Sequence, residues 1–239
     1  MLEWVNQHFL LICALIIILL NYFWLSKCGR VFGFSKKAAL LIAILHDIIG
    51  FYAMKLLAII EVGGNLDKAA NMRLFGAVFV LPFLYYACSK ALKVQPGKMM
   101  DIAAISCING LVMGRIDCLV GGCCKGILIM GGPLRWPLRE IELVFYIGFI
   151  LLFYRKILQN KTNGEVYPLY MISYGALRFI LEWFREEYTT NIGILHLAHI
   201  WAILSVLIGA SFYFSVSTGI VNANTANTAI HNKKTKGRK

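Results

Sequence analysis

One aromatic and three charged residues recur at helical spacing inside an apolar stretch near the end of the chain. Positions i, i+4, i+8 and i+11 lie on one face of an α-helix. The four residues are Tyr174, Arg178, Glu182 and Arg185. Charged groups within a membrane are costly and are functional candidates, so this face is not expected to contact lipid. Two interpretations stay open: an internal ion-pair ladder in which Glu182 neutralises Arg178, or an anion site where arginine holds a phosphate bidentately.

A glycine-rich segment with cysteines follows a second membrane-embedded arginine, Arg115. The segment reads Gly121-Gly122-Cys123-Cys124-Lys125-Gly126, and glycines allow positive φ and close approach of the backbone to a ligand. Such non-helical backbone is tolerated at membrane depth only where it is buried or lines a cavity. Together with Cys118 the cysteines have the spacing C-x4-C-C, which matches no common zinc pattern. No metal is therefore expected here, and close packing or an oxidised pair is favoured.

Histidines form two further candidate groups within apolar stretches. His46 stands beside Asp47, in a stretch that also contains Lys55. His196 and His199 have i, i+3 spacing and could share a helix face as metal ligands. A hydrogen-bonded structural pair near the membrane interface is the favoured interpretation, and no cofactor is expected.

The composition requires a lipid environment. Of 239 residues, 59% are hydrophobic and 15% are charged, whereas soluble domains have about 45–50% apolar and about 25% charged residues. The net charge of +12 would suggest nucleic acid in a soluble protein. Here the positive charges lie in short loops and a tail, so no nucleic acid is expected. The seven cysteines lie largely in or beside apolar runs and do not form a secreted disulfide framework.

The polar candidates are positioned by apolar stretches that are long enough to cross a bilayer. A spanning helix needs about 20 mostly apolar residues. Qualifying stretches are 8–26, 38–60, 74–92, 100–120, 140–158, 166–184 and 194–216. The first lacks the features of a cleaved signal peptide and is interpreted as a retained span. The sequence therefore predicts an all-α, polytopic transmembrane helical bundle of about seven spans.

Positive charges in alternate loops predict the orientation, because such loops face the cytoplasm. This rule places the N-terminus outside and the C-terminus in the cytoplasm. The remaining loops mix charges of both signs, as in Asp67 and Lys68 or Arg185 and Glu187. We predict a seven-span transmembrane domain over 1–217 and a basic, disordered tail over 218–239. The basic residues that decide the orientation are Lys27, Arg30, Lys36, Lys37, Lys90, Lys93, Lys98, Arg155, Lys156 and Lys161.

These residues, in this order, resemble the phosphatidylglycerol–prolipoprotein diacylglyceryl transferase family, integral membrane enzymes of bacterial lipoprotein maturation. The resemblance extends from about Gly50 to Gly209. It is carried by the motifs Gly114-Arg115-Ile116-x-Cys118-x-x-x-Gly122-Cys123-Cys124-x-Gly126, Arg135-x-Pro137-x-x-x-x-Glu142 and Tyr174-Gly175-x-x-Arg178-Phe179-x-x-Glu182-x-x-Arg185-Glu186. The third motif is the most specific, because it fixes aromatic, arginine and acidic positions inside an apolar helix. The family also implies seven spans and an outward N-terminus.

The resemblance implies transfer of a diacylglyceryl group from phosphatidylglycerol to the thiol of a lipobox cysteine in a prolipoprotein signal peptide. The expected location is the bacterial cytoplasmic (inner) membrane, among membrane lipids. By resemblance, the catalytic residues are Arg178, Tyr174 and His199. The substrate-binding residues implied in the same way are Arg115, Gly114, Gly122, Gly126, Arg135, Glu142 and Glu182.

Two physical needs of that reaction map onto these residues. Donors on the phosphate favour the transition state because the leaving group gains charge, and this is the role implied for Arg115 and Arg178. The acceptor thiol must become a thiolate, for which Tyr174, His199 and His46 are the candidate bases. The glycines that flank Arg115 could either bring backbone N–H groups to the headgroup or allow close helix packing.

The sequence also departs from the family pattern. Phe75 stands where the family carries a histidine thought to be essential, Asp117 replaces a usual glycine, and Cys123 replaces a frequent glutamate. A divergent, non-catalytic protein that binds or transports anionic lipid is therefore the alternative. A small-molecule transporter is disfavoured because no inverted repeat is visible. A quinone-linked redox protein that uses Cys123 and Cys124 is disfavoured by the strain of a vicinal disulfide.

Overall fold

The long apolar stretches fold as α-helices, in which the backbone satisfies its own hydrogen bonds. The computed structural model describes the backbone of residues 2–64, 73–129, 132–186, 191–192 and 195–236, with side chains over 11–64, 73–129, 132–186 and 195–219. Over these residues the helices are α1 (Leu2–Phe32), α2 (Lys36–Glu61), α3 (Leu74–Leu92), α4 (Pro96–Gly121), α5 (Leu138–Leu158), α6 (Val166–Glu182) and α7 (Leu197–Lys236). The strands β1 (Asn191–Ile192) and β2 (Leu195–His196) form a short antiparallel hairpin before α7.

The all-helical prediction is confirmed, and each predicted stretch corresponds to one helix. The bounds of α3 match the prediction, whereas the hairpin before α7 was not expected. Among the described residues, five helices are long and apolar enough to cross a membrane: α1, α2, α3, α4 and α7. The chain is thus a multi-pass helical membrane protein. The count of seven spans and the orientation stay predictions.

The last helix passes the predicted domain boundary at residue 217. Its backbone is helical through Lys236, and its side chains are described only to Gly219. The division into a membrane domain and a disordered cytoplasmic tail stays a prediction. The predicted loop charges Asp67, Lys68 and Glu187 lie outside the described residues.

Local sequence signals explain where several helices begin and end. The Ser35 hydroxyl caps α2 by accepting a hydrogen bond of 3.2 Å from the Ala38 N–H, as N-cap serines do. Pro96 opens α4, where its missing N–H has no consequence. Gly122 ends α4 at φ +68°, the left-handed conformation that glycine adopts readily.

Helix α4 is the centre of the bundle and the most buried of the five candidate spans. It packs against α1, α3, α5 and α6. The Trp24 indole on α1 donates 3.1 Å to the Ile102 carbonyl, and the Asn109 amide donates 2.9 Å to Asn21. Helix α6 packs most extensively against α7. The motif residues on α4 and α6 are therefore held between packed neighbouring helices.

Alternate connections lie at opposite ends of the bundle. At one end, Lys27 at the end of α1 donates 2.7 Å to the Tyr154 hydroxyl on α5, and Lys98 bonds Asn160. At the other end, the Ile127 N–H after α4 donates 2.9 Å to the Phe184 carbonyl after α6. The basic loops predicted to be cytoplasmic thus share one end, and the arginine and cysteine motifs share the other.

Large apolar side chains cover the outside of the bundle. Phe83, Val144, Leu151 and Phe214 are among those exposed by about 70% of their surface. A soluble monomer rarely exposes extended apolar surface. This surface is suited to contact with lipid.

Candidate functional site

A cavity of about 630 Å³ lies among α1, α2, α3, α4, α6 and α7. Its wall includes five of the ten residues predicted from the sequence to be catalytic or substrate-binding. These are Gly114, Arg115, Tyr174, Arg178 and Glu182. Because α4 and α6 pack against each other, motifs separated by about sixty residues in sequence face the same space.

Glu142 on α5 connects the arginines of the cavity wall. Its Oε2 atom lies 2.6 Å from Arg115 Nε, and its Oε1 atom lies 3.0 Å from Arg178 Nη1 and 3.5 Å from Arg185 Nη2. The Tyr146 hydroxyl donates 2.8 Å to the same carboxylate. Glu142 is fully buried and does not line the cavity. It contacts the three guanidinium groups on the side that faces away from the cavity.

Glu182 completes the cluster from within α6. Its Oε2 atom accepts 3.0 Å from Arg178 Nη2 and lies 3.2 Å from Arg185 Nε. The ion-pair ladder that the i, i+4 and i+3 spacing predicts is therefore present. Both side chains of the Arg178–Glu182 pair are buried.

The cluster carries more positive than negative charge. Within the described part of the chain it contains Arg115, Arg178 and Arg185 against Glu142 and Glu182, all buried. The three arginines line the cavity. A buried charge is costly unless it is paired, so the positive charge left within this cluster favours an anion beside the arginines, in a cavity whose wall also contains the carboxylates of Asp47 and Asp117. The arrangement is therefore compatible with both interpretations of the α6 spacing, the internal ion-pair ladder and the anion site.

Tyr174 contributes an unused polar group to the cavity wall. The residue is fully buried, and its hydroxyl has no hydrogen-bond partner among the described residues. Its ring centroid lies 5.1 Å from that of Phe75 and 5.7 Å from that of Tyr170. Phe75, which stands in place of the family histidine, also lines the cavity. An apolar ring therefore stands where the resemblance places the family histidine.

The glycines selected from the sequence have different roles. A Cβ atom at Gly114 would meet nothing within 4 Å, and the residue lines the cavity. Close helix packing, one of two explanations for this glycine, is therefore wrong. By contrast, a Cβ atom at Gly126 would lie 2.3 Å from the Trp136 carbonyl oxygen. Gly126 and Gly122 shape the loop after α4 and do not line the main cavity.

The loop after α4 brings three cysteines to the cavity. The Sγ atoms of Cys118, Cys123 and Cys124 all lie within 4.8 Å of one another, and the three residues line the cavity. Arg139 Nη1 fixes the turn by donating 3.1 Å to the Cys118 carbonyl and 3.4 Å to the Cys123 carbonyl. The hydrogen bond from Cys118, with the positive field of Arg185, holds the pKa of the Cys124 thiol below its usual value.

Two further predicted site residues lie away from the cavity lining. Arg135 is partly exposed, donates 3.1 Å to the Gly126 carbonyl and pairs with Glu186. His199 is buried, accepts 3.2 Å from the His196 N–H, and packs against the Trp183 ring at 4.7 Å. The roles assigned to Arg135 and His199 stay predictions. The third candidate base, His46, does line the cavity and lies 3.1 Å from the Tyr85 hydroxyl.

Sequence reasoning missed a polar contact at the end of α2. The Glu61 carboxylate pairs with Arg73 and accepts 2.8 Å from the Trp201 indole on α7. All three residues line the cavity. Glu61 and Arg73 flank a loop of mixed charge, and nothing in their spacing indicates that α7 joins them.

These features define the class of the molecule: a multi-pass helical membrane protein with a cluster of buried charges facing a cavity. The chain belongs to the prolipoprotein diacylglyceryl transferase family, because the family profile with the description "Prolipoprotein diacylglyceryl transferase" matches residues 12–215. This confirms the resemblance carried by the motifs.

Individual relatives are similar at low identity over most of the chain. The phosphatidylglycerol–prolipoprotein diacylglyceryl transferase of Clostridium tetani is 25% identical over 216 residues, covering 80% of this chain and 86% of the relative. Phosphatidylglycerol–prolipoprotein diacylglyceryl transferase 2 of Clostridium perfringens is 25% identical over 232 residues, covering 87% of each. A Campylobacter lari protein of the same name is 33% identical over 132 residues, 52% of this chain and 48% of its own.

Proposed function

We propose that this protein transfers the diacylglyceryl group of phosphatidylglycerol to the thiol of a lipobox cysteine in a prolipoprotein signal peptide. One observation carries the proposal beyond family membership. Arg115, Arg178 and Arg185 line one cavity, and the two buried carboxylates paired with them, Glu142 and Glu182, leave one positive charge in excess within this ion-pair cluster. An anionic phosphodiester has the chemistry to complete that cluster.

The arginines are suited to the charge that develops during transfer. The phosphodiester becomes a phosphate monoester as the glyceryl carbon–oxygen bond breaks, so its charge increases. Guanidinium groups that are already fixed by Glu142 and Glu182 need little reorganisation to stabilise this charge. The planar donor fork of Arg178, held by carboxylates on two sides, suits bidentate contact with phosphate oxygens.

The cavity also offers a path for lipid from the side. Ile48 and Tyr52 on α2 line the cavity and are exposed on the apolar surface of the bundle. Acyl chains could remain in the bilayer while the headgroup reaches the arginines. With the orientation predicted from the loop charges, the arginine end faces the outside of a bacterial cytoplasmic membrane, where prolipoprotein signal peptides emerge.

The acceptor thiol must lose its proton without the family histidine. Tyr174 and His46 are the candidate bases that line the cavity. The field of the arginines also favours a thiolate nearby. The presence of Phe75 in the wall is the observation that favours the alternative, a protein that binds anionic lipid without transfer.

An assay with purified protein decides between diacylglyceryl transfer and binding of anionic lipid without transfer. The chain in mixed micelles with phosphatidylglycerol and a lipobox peptide should yield a thioether-linked diacylglyceryl peptide, detected by mass spectrometry. A peptide with serine in place of the lipobox cysteine is the matched control and should remain unmodified. Folded protein that retains phosphatidylglycerol and yields no thioether would favour the alternative. Growth of cells depleted of their own transferase is the corresponding test in vivo.

A further inference from the structure

The thiols of Cys118, Cys123 and Cys124 converge although their linear spacing gives no sign of it. Cys118 lies in the last turn of α4, and the chain turns back at Gly122 to bring the next two cysteines beside it. Cys118 Sγ lies 3.8 Å from Cys124 Sγ, and all three sulfur atoms lie within 4.8 Å of one another. This arrangement is the only one of its kind among the side chains that the structure describes.

The backbone is held so that the sulfur atoms converge. Cys124 has φ +55°, a left-handed conformation that is uncommon for residues other than glycine. Arg139 Nη1 bonds the carbonyls of Cys118 and Cys123 from the other side. Together these two features fix the turn that brings the three thiols together.

The separation of the sulfur atoms suits a metal ion. Thiolates bind zinc at about 2.3 Å with tetrahedral angles, so two such ligands lie about 3.8 Å apart. The Cys118–Cys124 distance has this value, whereas a disulfide requires about 2.05 Å. Arg115 Nη1 lies 3.8 Å from Cys118 Sγ, so the three thiols adjoin the arginine cluster.

We propose that Cys118, Cys123 and Cys124 bind one thiophilic divalent cation of the zinc class, whose fourth coordination position faces the cavity and takes the acceptor thiol. Three protein ligands and one open position are the arrangement of catalytic rather than structural zinc sites. Thiolate ligands select soft cations of this class. The identity of the acceptor thiol rests on the proposed function, whereas the cation site rests on the cysteines alone.

A cation at this site would promote deprotonation of the acceptor thiol, which the apolar ring of Phe75 cannot do. A thiol that coordinates a divalent cation is deprotonated, and its proton leaves to water. The bound sulfur then attacks the glyceryl carbon that carries the phosphate, so the carbon–sulfur bond forms as the carbon–oxygen bond breaks. The electron pair of the broken bond leaves with the oxygen of glycerol phosphate, which the arginines hold. No electron is gained or lost by the cation, and no further reactant is needed.

Uptake of Cd²⁺ tests the cation site without reference to activity. The purified full chain, kept reduced with a phosphine, should bind one Cd²⁺ and show the ultraviolet charge-transfer band of cadmium–thiolate bonds. Cys118→Ser, Cys123→Ser and Cys124→Ser should each weaken binding by at least the roughly 10–100-fold that loss of a supporting group causes. Cys88→Ser, at a half-buried free cysteine on α3, is the matched control and should bind Cd²⁺ like the parent chain.

Two measurements keep the proposal testable if a serine variant does not fold. In the parent chain, Cd²⁺ should protect Cys118, Cys123 and Cys124 together from alkylation while Cys88 keeps its rate. A lipobox peptide should then raise the charge-transfer band by about one third, because a fourth thiolate joins three. The peptide with serine in place of cysteine should leave the band unchanged.

Several results would overturn the inference. The first is that the parent chain takes up no Cd²⁺, and the second is that each of the three serine variants still takes it up. The third is a mass of the phosphine-treated protein that shows a Cys118–Cys124 disulfide. The fourth is a cadmium–thiolate band whose intensity does not change when the cysteine-containing peptide is added. Thioether formation measured on the same samples separates the two proposals. A chain that binds Cd²⁺ and peptide but forms no thioether contradicts the proposed function alone. Thioether formation by a chain that takes up no Cd²⁺ contradicts the cation site alone.

Discussion

Arg178 Nη1 on α6 donates a hydrogen bond of 3.0 Å to Glu142 Oε1 on α5. Arg178 is therefore not neutralised by Glu182 alone, as its own helix would suggest. Glu142 also contacts Arg115 and Arg185, so one buried carboxylate on α5 joins the arginines of α4 with those at the end of α6. The consequences of substitution follow from this shared arrangement and not from isolated pairs.

Glu142→Gln should destabilise the protein strongly. The substitution keeps the side-chain volume but leaves three buried guanidinium groups with one carboxylate, Glu182. Breaking a buried ion pair by removal of one partner costs about 3–5 kcal/mol. Thermal unfolding of the purified protein in detergent should show a lower midpoint and a lower folded yield.

The neighbouring Glu140 provides the control for that experiment. Its side chain is 48% exposed and lies 3.8 Å from Arg139. Surface substitutions of this kind stay within about 0.5 kcal/mol. Equal losses for Glu140→Gln and Glu142→Gln would show that the cluster is not the source of the effect.

Gly114→Leu should abolish transfer while the fold is kept. A Cβ atom at Gly114 meets nothing within 4 Å, and the position lines the cavity. A leucine side chain would extend into the space that the arginines face. Leucine is also a better helix former than glycine, which is about 0.8–1.0 kcal/mol less favourable than alanine in a helix interior. The thioether assay measures the loss of transfer, and an unfolding curve on the same sample shows whether the fold is kept.

Gly76→Leu is the contrasting variant, because Gly76 lies in a close helix contact that leaves no space for a side chain. A Cβ atom there would lie 2.2 Å from the Ala53 carbonyl oxygen, where α2 and α3 cross. Overpacking costs at least about 1–3 kcal/mol, so this variant should lose stability. Undiminished transfer by a folded Gly114→Leu protein would mean that the cavity is not the substrate site.

The elements of the bundle and one face of the site were predictable from the sequence, because both depend on local periodicity. Apolar stretches locate the helices, and the i, i+4, i+8 spacing places Tyr174, Arg178 and Glu182 on one side of α6. The central role of Glu142 was not predictable in this way, because it depends on how α5 packs against α4 and α6. The convergence of Cys118 with Cys124 depends on a left-handed turn that a linear spacing pattern does not contain.

The orientation of the bundle predicts where reporters will be active. A reporter fused after Lys98 or after Lys161 should read cytoplasmic, because both loops belong to the basic set and Lys98 bonds Asn160 at the same end. Reporters at Asn65, which lies outside the described residues, and at Asn191 should read external. Adjacent loops that report the same side would contradict the seven-span arrangement.

Arg178→Lys and Arg178→Leu should both remove activity while leaving the protein folded. Without Arg178, the described cluster keeps Arg115 and Arg185 against Glu142 and Glu182, and each carboxylate still has an arginine within 3.2 Å. No buried charge is left unpaired, so expression and the unfolding midpoint should change little. Arg178→Leu removes the excess positive charge of the cluster. Arg178→Lys keeps the charge but removes the planar donor fork of the guanidinium group.

The expected loss of transfer rate is about 100–1000-fold, the usual effect of removing one well-placed donor to developing charge. Arg155→Lys, at an exposed position on α5, is the matched control and should transfer at the parent rate. The double variant Arg178→Leu, Glu182→Leu separates structure from chemistry, because it restores the excess of one positive charge through Arg115, Arg185 and Glu142. If Arg178 served only to neutralise Glu182, this variant would regain activity. We expect a folded and inactive protein, because Arg115 on α4 and Arg185 beyond the end of α6 cannot place a guanidinium group where Arg178 holds it within α6.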